Sequence, residues 1–277
     1  MRTWRYAQVD VFTAQPLRGN ALAVVHDAAG LSDAQMQDFA RWTNLSETTF
    51  LLPPTQAGAD YRLRIFTPGG ELPFAGHPTL GSCHAWLEAG GAPRGEVVVQ
   101  ECGVGLVRVR RDGARLAFAA PPLRRHEPAD AATREQLARS LRVAPSAMLD
   151  AQWIDNGPGW IGVRLADAAA VLAVEPDFAA MDALKVGVIG AWPAGSECAF
   201  EVRAFVPTMG VPEDPVTGSL NAGFAQWLVG AGLAPPQYVA AQGARLGRAG
   251  RVHVQQRGED LWIGGESVTC IEGSLRL

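Results

Sequence analysis

The chain has 277 residues, enough for two domains of ordinary size. Hydrophobic residues make up 48%, charged residues 19%, and the net charge is −4, which fits a globular protein and excludes a disordered one. An acidic chain without a basic stripe is a poor nucleic-acid binder, and no window reaches the roughly 18 apolar residues of a membrane helix. The N-terminus lacks an apolar signal core, so a cytoplasmic location is expected. Cys83, Cys102, Cys198 and Cys270 form no CxxC pair, and the five histidines are scattered. Neither a metal site nor a cofactor is expected.

In chain order, the first clear element is a helix opening at Ser32. Ser32 and Gln35 have capping-box spacing, and Met36, Phe39 and Ala40 share its inner face. Glu47 follows in a polar, β-branched stretch that should begin a strand. Residues 60–66 alternate with period two, a second strand. The Pro/Gly-rich loop 67–76 leads into an almost wholly apolar helix over residues 78–88. There Leu80, Cys83, His84 and Leu87 fall on one face and are assigned to the core. A hairpin then turns at Asp112-Gly113. Residues 121–128, rich in proline and charge, read as a linker.

The second half repeats the first. Arg64-Ile-Phe-Thr-Pro68 matches Arg203-Ala-Phe-Val-Pro207, and Pro73 matches Pro212, at an offset of 139. Ala85-Trp86-Leu87 matches Gln226-Trp227-Leu228 at 141, and the Val107 hairpin matches the Val252 hairpin at 145. A period this long marks a duplicated domain, not a solenoid. The second apolar helix carries Leu220, Phe224, Trp227 and Leu228, and its hairpin turns near Gly258-Glu259. A helix with so little polar surface must be surrounded. The expected fold is therefore α+β: two pseudo-symmetric, barrel-like β domains, each wrapped around a central apolar helix. The expected division is residues 1–122 and 123–277, with the active-site cleft between them.

Chemistry concentrates in three segments, around Glu47, at Gly76-His77-Pro78, and at Asp214 to Ser219. The last two enter the central helices of the two repeats. A helix start offers free N–H groups and a positive dipole end to an anion such as a carboxylate. Gly76 and Gly218 admit close backbone approach, and Ser219 adds a hydroxyl. Glu47, held among Leu45, Thr48 and Phe50, could have a raised pKa and shuttle a proton. The plainer roles are a solvated strand residue for Glu47, a turn residue for Asp214 and an N-cap for Ser219. Asn20 and Gly157-Pro-Gly159 start corresponding strands, with turn chemistry as their default role. Gln242, Gly243 and the loop 246–251 could close over the cleft, with Arg248 meeting an acidic ligand. No GxSxG elbow, GxGxxG or GxxxxGK[ST] loop is present.

The chain resembles the phenazine-biosynthesis isomerase family (PhzF-like). The resemblance rests on Val9-Asp-Val-Phe-Thr13, Gly19-Asn20-Ala-Leu-Ala-Val-Val25, Asn44-Leu-Ser-Glu-Thr-Thr-Phe50, Arg64-Ile-Phe-Thr-Pro68, Glu71-Leu-Pro-Phe-Ala-Gly-His-Pro-Thr79, Glu213-Asp-Pro-Val-Thr-Gly-Ser219 and residues 265–273. It implies the diaminopimelate-epimerase-like fold. It also implies Glu47 as acid/base, His77 and Asp214 as the residues that orient and polarise the substrate, and Gly76, Gly218 and Ser219 as its carboxylate cradle. The implied reaction is a cofactor-independent hydrogen shift in a dihydro-hydroxyanthranilate, by a homodimer. The thiols that the related epimerases carry at each helix entry are absent here. An epimerase, a racemase or another proton-transfer enzyme on the same fold remains an alternative, as does a non-catalytic metabolite-binding protein.

Overall fold

In the computed structural model, which describes residues 2–209 and 211–277, the chain divides into two compact units. Unit 1 begins with β1 (Thr3–Val11), β2 (Asn20–Val25), α1 (Asp33–Thr43), β3 (Glu47–Leu52), β4 (Tyr61–Thr67) and β5 (Gly70–Leu72). It continues with α2 (Gly76–Glu88), β6 (Val98–Cys102), β7 (Gly105–Asp112) and β8 (Arg115–Ala119). Unit 2 opens with β9 (Arg125–Pro128), α3 (Ala131–Leu141), β10 (Asp150–Asp155), β11 (Trp160–Arg164), α4 (Ala168–Ala173) and α5 (Phe178–Met181). Then come β12 (Lys185–Ala191), β13 (Phe200–Phe205), β14 (Glu213–Asp214), α6 (Gly218–Gly230), β15 (Gln237–Gln242), β16 (Gly250–Arg257) and β17 (Asp260–Gly265). The last strand, β18 (Ser267–Arg276), belongs to unit 1.

Two sequence expectations are corrected here. The second unit ends at Ile263, not at residue 277, because β18 pairs antiparallel with β1 from Thr3↔Arg276 to Val11↔Ser267. The stretch read as a linker is partly strand: β9 pairs with β10 from Gln152↔Pro128 to Asp155↔Arg125. Proline is tolerated there because β9 is short and terminal in its sheet order.

Each unit repeats one pattern. In unit 1 the pairing order is β18-β1-β2-β3-β4-β6-β7-β8, with β2–β3 and β4–β6 parallel and the rest antiparallel. In unit 2 it is β9-β10-β11-β12-β13-β15-β16, with β11–β12 and β13–β15 parallel. Helix α2 packs on strands from both ends of its order, including β18, β1, β2 and β8, so the sheet curls around it. Helix α6 packs on β10, β11 and β16 in the same way. Close approach of helix to strand depends on glycine in both units. A Cβ on Gly81 would lie 2.7 Å from Leu22 and Val11 side chains, and one on Gly223 would lie 2.7 Å from the Ile154 carbonyl oxygen. No α-helix among the described residues is long and apolar enough to cross a membrane.

Helix α1 has the expected capping box, with Ser32 accepting from Gln35 N and Gln35 accepting from Ser32 N, and it buries Met36, Phe39 and Ala40. Cys83 is fully buried as expected. His84 is not core: it is half-buried, and its Nε2 lies 3.2 Å from both Thr269 Oγ1 and Glu88 Oε1.

The repeated arginine is an anchor in both units. Arg64 pairs with Glu71 on β5 and with Asp33, while Arg203 pairs with Glu213 on β14. Glu71 lies opposite Phe66 and Glu213 opposite Phe205, so the equivalent glutamates stand 142 apart rather than 139. The loop of the second copy is therefore longer than an offset of 139 implies, and it contains Gly210, which lies outside the described residues.

Unit 2 also buries an acid away from these loops. Glu201 on β13 is 1% exposed; its Oε2 accepts from Trp192 Nε1 at 3.2 Å, and Oε1 has no hydrogen-bond partner among the described residues. Burial pushes this carboxyl up to about 7. A folded pKa above the unfolded one means that the folded state binds more protons. Stability is then greatest below the unfolded value near pH 4, and declines as pH rises through about 7. Glu201→Gln should flatten that decline and raise stability at about pH 8 by on the order of 1–3 kcal/mol. Urea unfolding at about pH 5 and pH 8 reads this, and an unchanged pH slope would rule the account out.

Candidate functional site

The predicted site residues fall into two sets, one in each unit. In unit 1, Glu47 begins β3 directly after the left-handed cap of α1 at Asn44, with only Leu45 and Ser46 between. Pairing of Leu22 with Glu47 and of Thr48 with Phe66 fixes its place between β2 and β4. Glu47 is 8% exposed. Its Oε2 lies 3.5 Å from Nε2 of His77, which is 3% exposed in the first turn of α2. Burial drives the His77 ring down to about 3, so it is neutral at ordinary pH. The contact is therefore a carboxyl beside a neutral imidazole, not an ion pair. The other ring nitrogen, Nδ1, is 3.3 Å from Asn20 Nδ2.

In unit 2, Asp214 ends β14, and its Oδ2 accepts a hydrogen bond from Thr217 Oγ1 at 2.5 Å. Gln242, at the end of β15 and 1% exposed, ties this loop down. Its Oε1 accepts from Thr217 N and Asn221 Nδ2, and its Nε2 donates to Asp214 O and Thr217 Oγ1. Ser219 is 8% exposed; its Oγ accepts from Trp160 Nε1 at 3.0 Å and its carbonyl accepts from Asn156 Nδ2 at 2.8 Å. With Oγ held from Trp160, the hydroxyl's own proton is left to donate.

The helix ends distinguish these sets from ordinary turns. Helices α1, α3, α4 and α5 are each capped by a side chain, from Ser32, Asp130, Asp167 and Asp177. Helices α2 and α6 are not: neither Ala75 nor Thr217 makes a side-chain cap. The first-turn N–H groups at Gly76 and His77, and at Gly218 and Ser219, have no acceptor within their helices. The two helices that carry the candidate residues are thus the two whose positive ends are kept open.

Sequence reasoning overlooked Asn20, Asn156, Trp160 and Gln242. Turn chemistry for Asn20 and a closing loop for Gln242 are the sequence expectations, yet both are buried and bond candidate residues, Asn20 with His77 and Gln242 with Asp214 and Thr217. The repeat carried a usable signal, because Asn20 and Asn156 introduce equivalent strands. In the loop 246–251, Arg251 is held by Glu197 at 2.9 Å. Among the described residues, no three His, Cys, Asp or Glu side chains gather as a metal group.

Residues 9–273 match the family described as phenazine biosynthesis-like protein (PhzC-PhzF). The chain belongs to this family. Its relatives include antisense-enhancing sequence 1 of Schizosaccharomyces pombe, 38% identical and covering 97% of each chain. The trans-2,3-dihydro-3-hydroxyanthranilate isomerase of Pseudomonas aeruginosa is 34% identical, covering 98% of this chain and 95% of that protein. Among solved structures, a PhzF-family protein from Enterococcus faecalis superposes with a TM-score of 0.83 at 26% identity over the whole of both chains. The α+β fold of two similar β-rich units is thus the fold of the PhzF family.

Proposed function

We propose that this isomerase of the PhzF family shifts a hydrogen within a small carboxylate-bearing metabolite, with Glu47 as the proton carrier. The carboxylate of Glu47 takes a proton from one carbon, the electron pair left behind moves into the adjoining unsaturated system, and Glu47 returns the proton to another carbon. The composition of the substrate is unchanged. The neutral His77 ring beside Glu47, and Asp214, are assigned the orienting and polarising of the substrate. The open N–H groups at Gly76, Gly218 and Ser219, with the Ser219 hydroxyl, are assigned the substrate carboxylate. A dihydro-hydroxyanthranilate is the favoured substrate class, by likeness to the Pseudomonas aeruginosa enzyme.

The observation that carries this reading is the buried Glu47–His77 pair at the uncapped start of α2. Proton NMR in D₂O tests it: trans-2,3-dihydro-3-hydroxyanthranilate and a panel of small amino and hydroxy acids are incubated with the protein. Deuterium entering a carbon of one compound supports the reading and names the substrate class. A compound that binds tightly while neither exchanging nor isomerising would favour a metabolite-binding protein. The reading includes a cytoplasmic homodimer, and a monomeric mass by light scattering would count against the dimer.

A two-thiol racemase on this fold is disfavoured by the positions of the cysteines. Neither helix start carries a thiol, and Cys83, further along α2, is fully buried with its thiol pushed up to about 12. Alkylation with iodoacetamide at neutral pH should leave Cys83 unmodified by mass spectrometry and turnover within about twofold of the untreated enzyme. Complete loss of turnover on alkylation would revive the thiol mechanism.

A further inference from the structure

We propose that Asn20 is a positioning residue that fixes which nitrogen of His77 carries the proton, and so presents an N–H to Glu47. The inference deepens the proposed function and rests on Glu47 as proton carrier.

A neutral imidazole holds one N–H and one lone pair, and whichever group bonds one nitrogen decides the state of the other. His77 is buried and neutral, so this choice is open to it. Asn20 Nδ2 is a donor and stands 3.3 Å from Nδ1. Nδ1 must then hold the lone pair, and the proton sits on Nε2, the atom 3.5 Å from Glu47 Oε2. In that tautomer an N–H lies 3.5 Å from the carboxylate, short of a formed hydrogen bond in this structure, and its positive end favours the ionised form, the form that can abstract a proton. In the opposite tautomer a lone pair would face the carboxylate, and Glu47 would have to be protonated before the reaction began.

The fold holds Asn20 firmly enough for this task. Asn20 is 1% exposed and pairs in register with Val11 at the start of β2. The chain reaches it through a turn pinned by Asp10, whose Oδ2 accepts from Arg18 N at 2.7 Å and Gly19 N at 2.9 Å. Gly19 has no alternative, because a Cβ there would lie 2.1 Å from the Val11 carbonyl oxygen. Unit 2 repeats the device. Asp155 Oδ1 accepts from Gly157 N and Gly159 N, and the adjoining Asn156 reaches the first turn of α6 at the Ser219 carbonyl. The two copies have diverged in what the asparagine holds: a backbone carbonyl in unit 2, and a ring whose protonation pattern can be switched in unit 1.

The test is ¹⁵N NMR of the protein labelled at histidine, with His77 assigned by the loss of its signals in His77→Gln. In the wild type, Nδ1 should resonate as an unprotonated nitrogen and Nε2 as a protonated one. The reverse pattern would overturn the proposal without any variant at position 20. In Asn20→Ala the pattern should shift toward an averaged or reversed one. With the compound that exchanges in the wild type, kcat should fall about 10- to 100-fold while KM stays within about threefold, less than the loss of a donor that itself touches the reacting atoms. Asn20→Ala that keeps the wild-type ring pattern, or the wild-type kcat, would overturn the proposal. Retained turnover in Glu47→Gln would instead remove the proposed function, and the wild-type ring spectrum would still decide the tautomer.

Discussion

Glu47→Gln should abolish turnover, with kcat reduced by at least about 10²–10⁴-fold, while the protein stays folded. The amide has the shape of the carboxyl and would stand at the same 3.5 Å from the His77 ring, so the buried pocket at the start of β3 need not rearrange. What the amide cannot do is bind and release a proton at ordinary pH. His77 is no substitute carrier. With its ring held down at about 3, taking up a proton at neutral pH is costly, and a base is efficient only when its pKa lies near the working pH. The variant should therefore unfold in urea near the wild-type midpoint, and should neither isomerise the substrate nor introduce deuterium into it. Turnover within threefold of the wild type would place the proton carrier elsewhere.

Arg203→Leu should cost about 3–5 kcal/mol of stability, against about 1 kcal/mol or less for the equivalent Arg64→Leu. The two arginines have the same place in the repeat and similar partners, but different surroundings. Arg203 and Glu213 expose 4% and 8% of their side chains and are joined by two hydrogen bonds of 2.9 Å. Arg203 also donates to the Val171 and Val174 carbonyls, closing the end of α4. Removing it strands a buried carboxylate and two carbonyl oxygens together. Around Arg64 the partners reach water: Asp33 is 83% exposed and Glu71 42%. Arg203→Lys should recover little of the loss, because one ammonium cannot replace a planar fork. Urea unfolding of the three variants measures the difference, and equal losses at the two positions would refute the burial argument. Because Glu213 precedes Asp214, Arg203→Leu should also loosen the loop that carries Asp214.

Much of the fold was legible because it is written in local pattern. The capping box at Ser32, the period-two strand at Tyr61, the turns at Asp112-Gly113 and Gly258-Glu259, and the two apolar helices each announce themselves within a dozen residues. The duplication was legible too, as a long offset between matched segments. What escaped was pairing across distance. Nothing in residues 267–276 signals that they join β1 rather than the neighbouring unit, since alternation defines a strand and not its partner. Gln242 and Asn20 escaped for a related reason. Both residues look like turn or surface amides, and their role appears only when Asp214 or His77 is brought beside them. The resemblance named Glu47, His77 and Asp214 as residues of one family site, but the distance between Glu47 and His77 and the neutrality of the ring required the fold.

The return of β18 to unit 1 sets the order in which the chain can complete itself. Residues 120–263 are continuous, so unit 2 is synthesised as one unbroken stretch ending at Ile263. Unit 1 is not: β1 lacks its outer neighbour until residues 267–276 emerge. Through that interval β1 presents a free hydrogen-bonding edge beside the apolar helix α2, the kind of surface that recruits chaperones or other chains. The half that carries Glu47 is thus the first to be synthesised and the last to be finished.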